Sequence, residues 1–246
     1  LIARGDAFSQ LGNSGRALAD LNRAVTLAPN NAVAYVALGL AESRRGNRTA
    51  AMQDYEAALK RDPRRVDALV NIAALQLLDH KPEAAVTALD RAIAIDPRNA
   101  LAFYNRGFAY FSLKAYDKAI ADYGKAIEIN PQMGLAYNNL GLTKAIAGDD
   151  LTGALADNDR AVKLLPLNLE VCDTRGFIYL KMGEPAKALA AYNAALDIDP
   201  NRALSLYGRG LAKIRMGDVA AGRGDQAAAA TINPEVADDF AMYDLK

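Results

Sequence analysis

The sequence predicts an all-α solenoid of seven antiparallel helix pairs followed by a capping helix, and three observations carry that expectation. Pro29, Pro63, Pro97 and Pro131 are each 34 residues apart, Pro166 follows after 35, and Pro200 and Pro234 resume the 34-residue step. A fixed period in this range marks a repeat architecture, in which each repeat buries its apolar face only against its neighbours. Between the prolines, apolar residues recur at three- and four-residue spacing, as one buried helix face requires. In most repeats a glycine then interrupts the pattern near the middle, so that each reads as two helices rather than one.

The elements follow in order from this punctuation. Gly12, Gly46, Gly148, Gly183 and Gly217 fall where a first helix should end and supply its left-handed closing residue. Asn13, Asn47 and Asp218 come next and are placed to cap the second helix. Pro82 and Pro185 sit one step later, at the first helical position, where a missing N–H costs nothing. His80 and Lys114 replace the turn glycine in the third and fourth repeats, which predicts a strained or different turn there. The second helices are expected over Ser14–Leu27, Arg48–Lys60, Pro82–Ile95, Tyr116–Ile129, Thr152–Leu165, Pro185–Ile198 and Val219–Ile232.

Two repeats depart from the rule. The fifth has one extra residue, expected in the turn Gly148–Leu151, where a loop absorbs it without rotating either apolar face. In the seventh, Gly222 stands where the others have alanine and Gly224 follows in the same helix. Each interior glycine costs ~1 kcal/mol relative to alanine, so this repeat is expected to open first. Gly222→Ala is expected to stabilise it where packing leaves room for a methyl group. Glu235–Leu245 then begins like an eighth first helix, with an acidic face of Glu235, Asp238, Asp239 and Asp244 that suits a cap. The domain expectation is a single array over residues 1–246, with 235–246 as the capping helix.

Small and large slots recur around the prolines. Gly5, Gly39, Ala73, Gly107, Gly141, Gly176 and Gly210 occupy a small slot in the first helix. Ala17, Ala51, Ala85, Ala119, Ala154 and Ala188 hold a second small slot, and Ala24, Ala58, Ala92, Ala126, Ala161, Ala195 and Ala229 a third. Large apolar slots hold Tyr35, Leu69, Phe103, Tyr137, Cys172 and Leu206 in the first helices, and Leu21, Tyr55, Leu89, Tyr123 and Tyr192 in the second. On these residues the whole chain resembles the tetratricopeptide repeat family. The resemblance implies a right-handed superhelix whose first helices line a concave groove, and a non-catalytic scaffold that binds peptides or helices there.

Composition narrows the function classes. Apolar residues make up 52% of the chain, enough for a continuous core, and 29 basic residues balance 29 acidic ones. No net field therefore favours nucleic acid or an anionic membrane. No apolar run reaches the ~18–20 residues of a membrane span. The single Cys172 excludes an internal disulfide and reads as a small buried hydrophobe. The only histidine, His80, reads as a solvated turn residue, so no serine or cysteine has a base to activate it. Nothing calls for a metal or cofactor, and catalysis is unsupported. The chain starts inside a repeat at Leu1, which suggests part of a longer protein or a processed product. The compartment is not legible, with the cytoplasm as default and the periplasm as alternative.

Short motifs carry little. Asn47-Arg48-Thr49 fits a glycosylation acceptor, but Asn47 serves as a helix cap. Arg223-Gly224-Asp225 resembles an adhesion tripeptide, yet it falls inside a helix. The acid pairs Asp149-Asp150 and Asp238-Asp239 read as solvated. A subtler pattern is an arginine just before the small slot, Arg4, Arg106, Arg175 and Arg209. In three of these repeats an aspartate comes sixteen residues later, Asp20, Asp122 and Asp225, which predicts an ion pair between the two helices of one repeat.

The family groove maps onto a first row, Val36, Val70, Tyr104, Asn138, Asp173 and Tyr207, and a second, Leu40, Ala74, Phe108, Leu142, Phe177 and Leu211. Leu77 and Phe111 extend the apolar surface, and Tyr104, Phe108, Phe111 and Leu142 form its centre. None of the twelve row residues is basic, which argues against a clamp for a terminal carboxylate. The expected partner is a protein or peptide with an apolar face, laid in as an amphipathic helix. The competing expectation is that these side chains pack against the neighbouring repeat and leave little open groove. Two other functions remain open. One is self-association, since Arg44, Arg45, Arg48, Lys60, Arg61, Arg64 and Arg65 crowd the second repeat while the C-terminal end is acidic. The other is the regulatory arm of a larger enzyme whose catalytic domain lies elsewhere.

Overall fold

The computed structural model describes residues 1–148 and 150–245, and every regular element among them is a helix. In order these are α1 (Ile2–Gln10), α2 (Ser14–Leu27), α3 (Ala32–Arg44), α4 (Arg48–Arg61), α5 (Val66–Leu78), α6 (Pro82–Ile95), α7 (Ala100–Ser112) and α8 (Tyr116–Ile129). There follow α9 (Gly134–Ala147), α10 (Leu151–Leu164), α11 (Leu169–Lys181), α12 (Pro185–Ile198), α13 (Ala203–Arg215), α14 (Val219–Ile232) and α15 (Val236–Ala241). The chain forms two compact units, Leu1–Ala115 with α1–α7 and Tyr116–Lys246 with α8–α15. Their boundary falls between the two helices of the fourth repeat, and the fold is all-α in both.

The punctuation acts as its chemistry requires. The side chains of Asn13, Asn47 and Asp218 accept hydrogen bonds from the backbone N–H groups of Arg16, Ala50 and Ala221. Asp150 does the same for Gly153 at 2.7 Å, which starts α10 at Leu151, one residue earlier than the period suggests. The turn expected to absorb the extra residue includes Asp149, which lies outside the described residues. His80 and Lys114 adopt φ of 56° and 58°, the left-handed region that Gly12 and Gly183 occupy in their own turns. The third and fourth turns therefore keep the left-handed closing residue of the turns at Gly12 and Gly183, at the steric cost of a side chain.

In the first, second and sixth repeats the two helices meet where one side chain lies over bare backbone. A Cβ at Gly5 would lie 2.6 Å from Leu21, one at Gly39 2.7 Å from Tyr55, and one at Gly176 2.6 Å from Tyr192. Tyr192 is fully buried, and on its other side a Cβ at Gly208 would overlap its ring. The alanine slots Ala17, Ala51, Ala85, Ala154 and Ala188 have no exposed surface. Small residues here are thus a consequence of how closely the helices approach.

The seventh repeat corrects one expectation. A Cβ at Gly222 would sit 2.6 Å from the carbonyl oxygen of Gly210 and 2.6 Å from Ile214 Cγ1, so there is no room for a methyl group. Gly210 faces the same constraint, 2.7 Å from the Gly222 carbonyl oxygen. The two glycines let the backbones of α13 and α14 touch. Gly224 has open space instead. Gly222→Ala should therefore destabilise the protein by about 1–3 kcal/mol, as overpacking does. Gly224→Ala should stabilise it by ~1 kcal/mol through helix propensity. Urea unfolding of the two variants checks this, and a gain from Gly222→Ala would contradict the close approach.

Candidate functional site

The arginine before the small slot binds in two directions. Arg4 makes a bidentate pair with Asp20, with Nε–Oδ2 at 2.6 Å and Nη2–Oδ1 at 2.7 Å. Arg209 does the same to Asp225 at 2.7 Å for both bonds, and Lys213 Nζ joins at 2.8 Å. These are the intra-repeat pairs that the sixteen-residue spacing anticipates. Arg106 and Asp122, the third expected pair, fall in different units. Arginines also reach backwards, to the second helix of the preceding repeat. Arg106 Nη1 lies 2.7 Å from Asp90 Oδ1, and Arg175 Nη2 lies 2.7 Å from Asp159 Oδ1. Sequence reasoning missed this stitch between repeats, although Asp90 and Asp159 stand at a constant offset of sixteen. The tripeptide Arg223-Gly224-Asp225 lies within α14, with its aspartate held by these cations.

The same slots explain the unusual acids. Hydrogen bonds from Arg4 hold the Asp20 carboxyl below its ordinary range. Burial would raise Asp225, but hydrogen bonds from Arg209 and Lys213 outweigh it and keep it low. In the fifth repeat Leu140 replaces the arginine and Lys144 serves Asp157 at 2.8 Å. In the second repeat Leu38 and Glu42 occupy the two cation positions. Burial, with the Glu42 charge added, pushes Asp54 up to about 6. Burial also raises Asp173, which hydrogen bonds from Ser205 and from Arg202 Nε at 3.0 Å partly offset. Burial likewise lifts the Cys172 thiol, away from a reactive thiolate.

The predicted binding rows divide by unit. In the first unit, Val36 and Val70 are buried, while Leu40, Leu77, Tyr104 and Phe111 are half-buried. Phe108 stands out at 41% exposure on α7, and Leu101, about two helix turns earlier, is also exposed. The helices α3, α5 and α7 that carry this row lie side by side. A cavity of about 570 Å³ opens beside Val70, lined by Asp62, Arg65, Asp67, Asp96 and Asn99 among others. Its lining combines Val66, Val70 and Leu101 with charges of both signs.

In the second unit more of the rows is buried. Asn138 is buried and takes part in a polar chain, with Asn158 Nδ2 donating to it at 3.5 Å and to the Val171 carbonyl at 3.0 Å. Leu142 is half-buried. Phe177 and Leu211 are buried, and Tyr207 lies with its ring centroid 5.0 Å from that of Phe240. Against Phe177 and Tyr207 lies the segment after α14, whose Val236, Phe240 and Leu245 are all buried. That the cap reaches Phe177 and Tyr207 was not legible in sequence; the signal it offered was Tyr243, three residues beyond Phe240.

The basic cluster of the second repeat is largely engaged within the chain. Arg44 donates to Ser9 Oγ at 3.1 Å, Arg48 lies 3.5 Å from Asp79, and Arg61 lies 3.9 Å above the Tyr35 ring while donating to the Pro29 carbonyl. Among the described residues, no group of three or more His, Cys, Asp or Glu is placed to hold a metal ion, and no helix is long and apolar enough to cross a membrane.

Comparison with known proteins agrees with this architecture. Tetratricopeptide repeat models match residues 2–65, 36–79, 100–133 and 169–202, and a further TPR repeat model matches residues 81–114. No curated protein matches the sequence. Among solved structures, the chain is similar to one in the APC/C hetero-tetramer Cut9-Hcn1, with TM-score 0.81 and 18% identity. The match covers 97% of this chain but only 47% of that one, so this chain spans about half its length. A tetratricopeptide repeat protein from Parabacteroides merdae matches with TM-score 0.73 and 22% identity, covering 99% of this chain and 96% of that one. YrrB, described as a TPR protein with an unusual peptide-binding site, matches with TM-score 0.61 and 21% identity, covering 77% and 97%.

The acid at position 54 gives a test by pH. Its pKa is raised on folding, so the native state binds the extra proton between roughly pH 4 and pH 6 and stability falls as pH rises through that window. Asp54→Asn should therefore stabilise the protein at pH 7.5 and give no gain near pH 4. Glu42→Lys, which restores the cation found at Lys144 and Lys213, should also raise the melting temperature at pH 7.5. Thermal melts across pH check both, and a pH-independent effect of Asp54→Asn would contradict the assignment.

Proposed function

Because this chain belongs to the tetratricopeptide repeat family, we propose that it is a non-catalytic scaffold that binds an apolar or amphipathic helical segment along its first helices. The observation that carries the reading is the second row of the first unit, where Leu40 and Ala74 are half-buried and Phe108 is 41% exposed. An aromatic ring left in water amid half-buried apolar neighbours is what an interaction surface looks like before its partner arrives. Tyr104, Phe111 and Leu77 add apolar area around it, while the buried Val36 and Val70 support the row from beneath. Part of the proposal is that the repeats over residues 1–246 act as one array, supported by the unbroken proline step through Pro97, Pro131 and Pro166. The chain's own use of Arg44, Arg48 and Arg61 leaves less of the second-repeat charge for self-association.

A panel of synthetic amphipathic helices supplies the probe. Phe108→Ala should weaken the tightest of them at least ~10-fold, as loss of an aromatic anchor does, with an unchanged circular dichroism spectrum. Amidating the peptide C-terminus should leave its affinity unaltered, since none of the row residues is basic. Undiminished binding by folded Phe108→Ala would refute the assignment of this row.

A further inference from the structure

The segment Val236–Leu245 does more than close the last repeat. First helices of the second unit touch the first helix of the next repeat, α9 with α11 and α11 with α13. An eighth first helix would accordingly rest on α13 and α14, and α15 does so. Past α15 the chain leaves that pattern and reaches α11. The Tyr243 ring meets Phe177 edge-on, with centroids 5.7 Å apart and planes at 87°. The Tyr243 carbonyl oxygen accepts a hydrogen bond from Lys181 Nζ at 3.1 Å. Phe240 and Leu245 join Phe177, Leu206 and Leu211 in one apolar cluster.

The way the segment ends holds these side chains in place. Asp244 has φ of 60°, Leu245 N–H donates to the Phe240 carbonyl at 3.1 Å, and Asp244 N–H donates to the Ala241 carbonyl at 3.1 Å. This is a left-handed helix stop with its apolar contact between Leu245 and Phe240. It is made without the glycine that would relieve it. The opposite side of the segment is solvated, with Glu235, Asp238, Asp239 and Asp244 all exposed. A short amphipathic segment thus lies on the very residues, Phe177, Tyr207 and Leu211, that the family pattern marks for a ligand.

We propose that the face formed by α11 and α13 is a second peptide-binding surface, and that Val236–Leu245 is its resident ligand. It yields to a partner segment of the same chemistry: two aromatic side chains three residues apart, a leucine two positions later, and an acidic outer face. This rests on reading the chain as a binding scaffold and adds a surface regulated from within. A tethered segment competes at an effective concentration of about millimolar, so a partner in trans binds weakly until the tether is loosened.

The probe is a synthetic peptide of residues 235–245 added to the full chain. Tyr243→Ala removes the contact with Phe177 while leaving Val236 and Phe240 to cover α13 and α14, and should raise the peptide's affinity at least ~10-fold over the parent. Asp244→Gly, which relieves the stop without touching α11, should seat the segment more firmly and lower that affinity. Lys181→Met in the Tyr243→Ala background should lower it again, and a peptide with both aromatic residues replaced by alanine should not bind. Equal affinity for parent and Tyr243→Ala, or no binding to either, overturns the proposal. So does a parent that is a dimer by light scattering with the segment exchanged between copies. Phe108→Ala should leave this affinity unchanged. Failure here with Phe108-dependent binding intact refutes this surface alone, whereas loss of both refutes the scaffold reading.

Discussion

The structure depends on one contact repeated along the chain: a large side chain from the second helix pressed onto the backbone of the first. Leu21 over Gly5, Tyr55 over Gly39 and Tyr192 over Gly176 are versions of it, each at a distance that a single Cβ would destroy. The contact brings the helix backbones close and puts the phenol rings wholly inside, where their hydroxyls have a cost. Those of Tyr55 and Tyr192 have no hydrogen-bond partner among the described residues, and burial raises both pKa values. A buried hydroxyl without a partner is unfavourable by about 1–3 kcal/mol, so the packing of the ring must outweigh it. In the seventh repeat Gln226 holds the large slot and Gly222 the alanine slot, so that α13 and α14 also meet backbone to backbone.

The charges depend on that approach. With the helices so close, residues sixteen apart in sequence become neighbours, and an arginine beside the small slot reaches an aspartate on either the second helix of its own repeat or that of the one before. Exposed pairs of this kind add little stability individually. Their value is positional, since a bidentate guanidinium accepts few geometries and so fixes the register of one helix against the next. The second repeat lacks the cation and keeps the geometry, and Asp54 is left to carry its burial beside Glu42.

The first-helix face proposed for recognition differs between the two units. In the first, Phe108 stays in water. In the second, the equivalent residues Phe177 and Leu211 lie beneath the chain's own closing segment. The same slot is therefore a surface in one unit and core in the other. In the second unit the segment after Pro234 sets Tyr243 against Phe177 and Phe240 against Tyr207.

The period, the helix bounds and the intra-repeat pairs Arg4–Asp20 and Arg209–Asp225 were legible because they arise from local spacing and capping chemistry, which act within one or two turns. The family's groove positions were legible in the same way, as residues on one helix face. Tertiary structure alone decided which of them water can reach, because burial belongs to the neighbour and not to the residue. It also decided that Gly222 has no room for a methyl group and that arginines reach backwards to Asp90 and Asp159. It further decided that Tyr243 crosses to Phe177. Each of these is a distance between segments that helical periodicity leaves free, and packing fixed all of them.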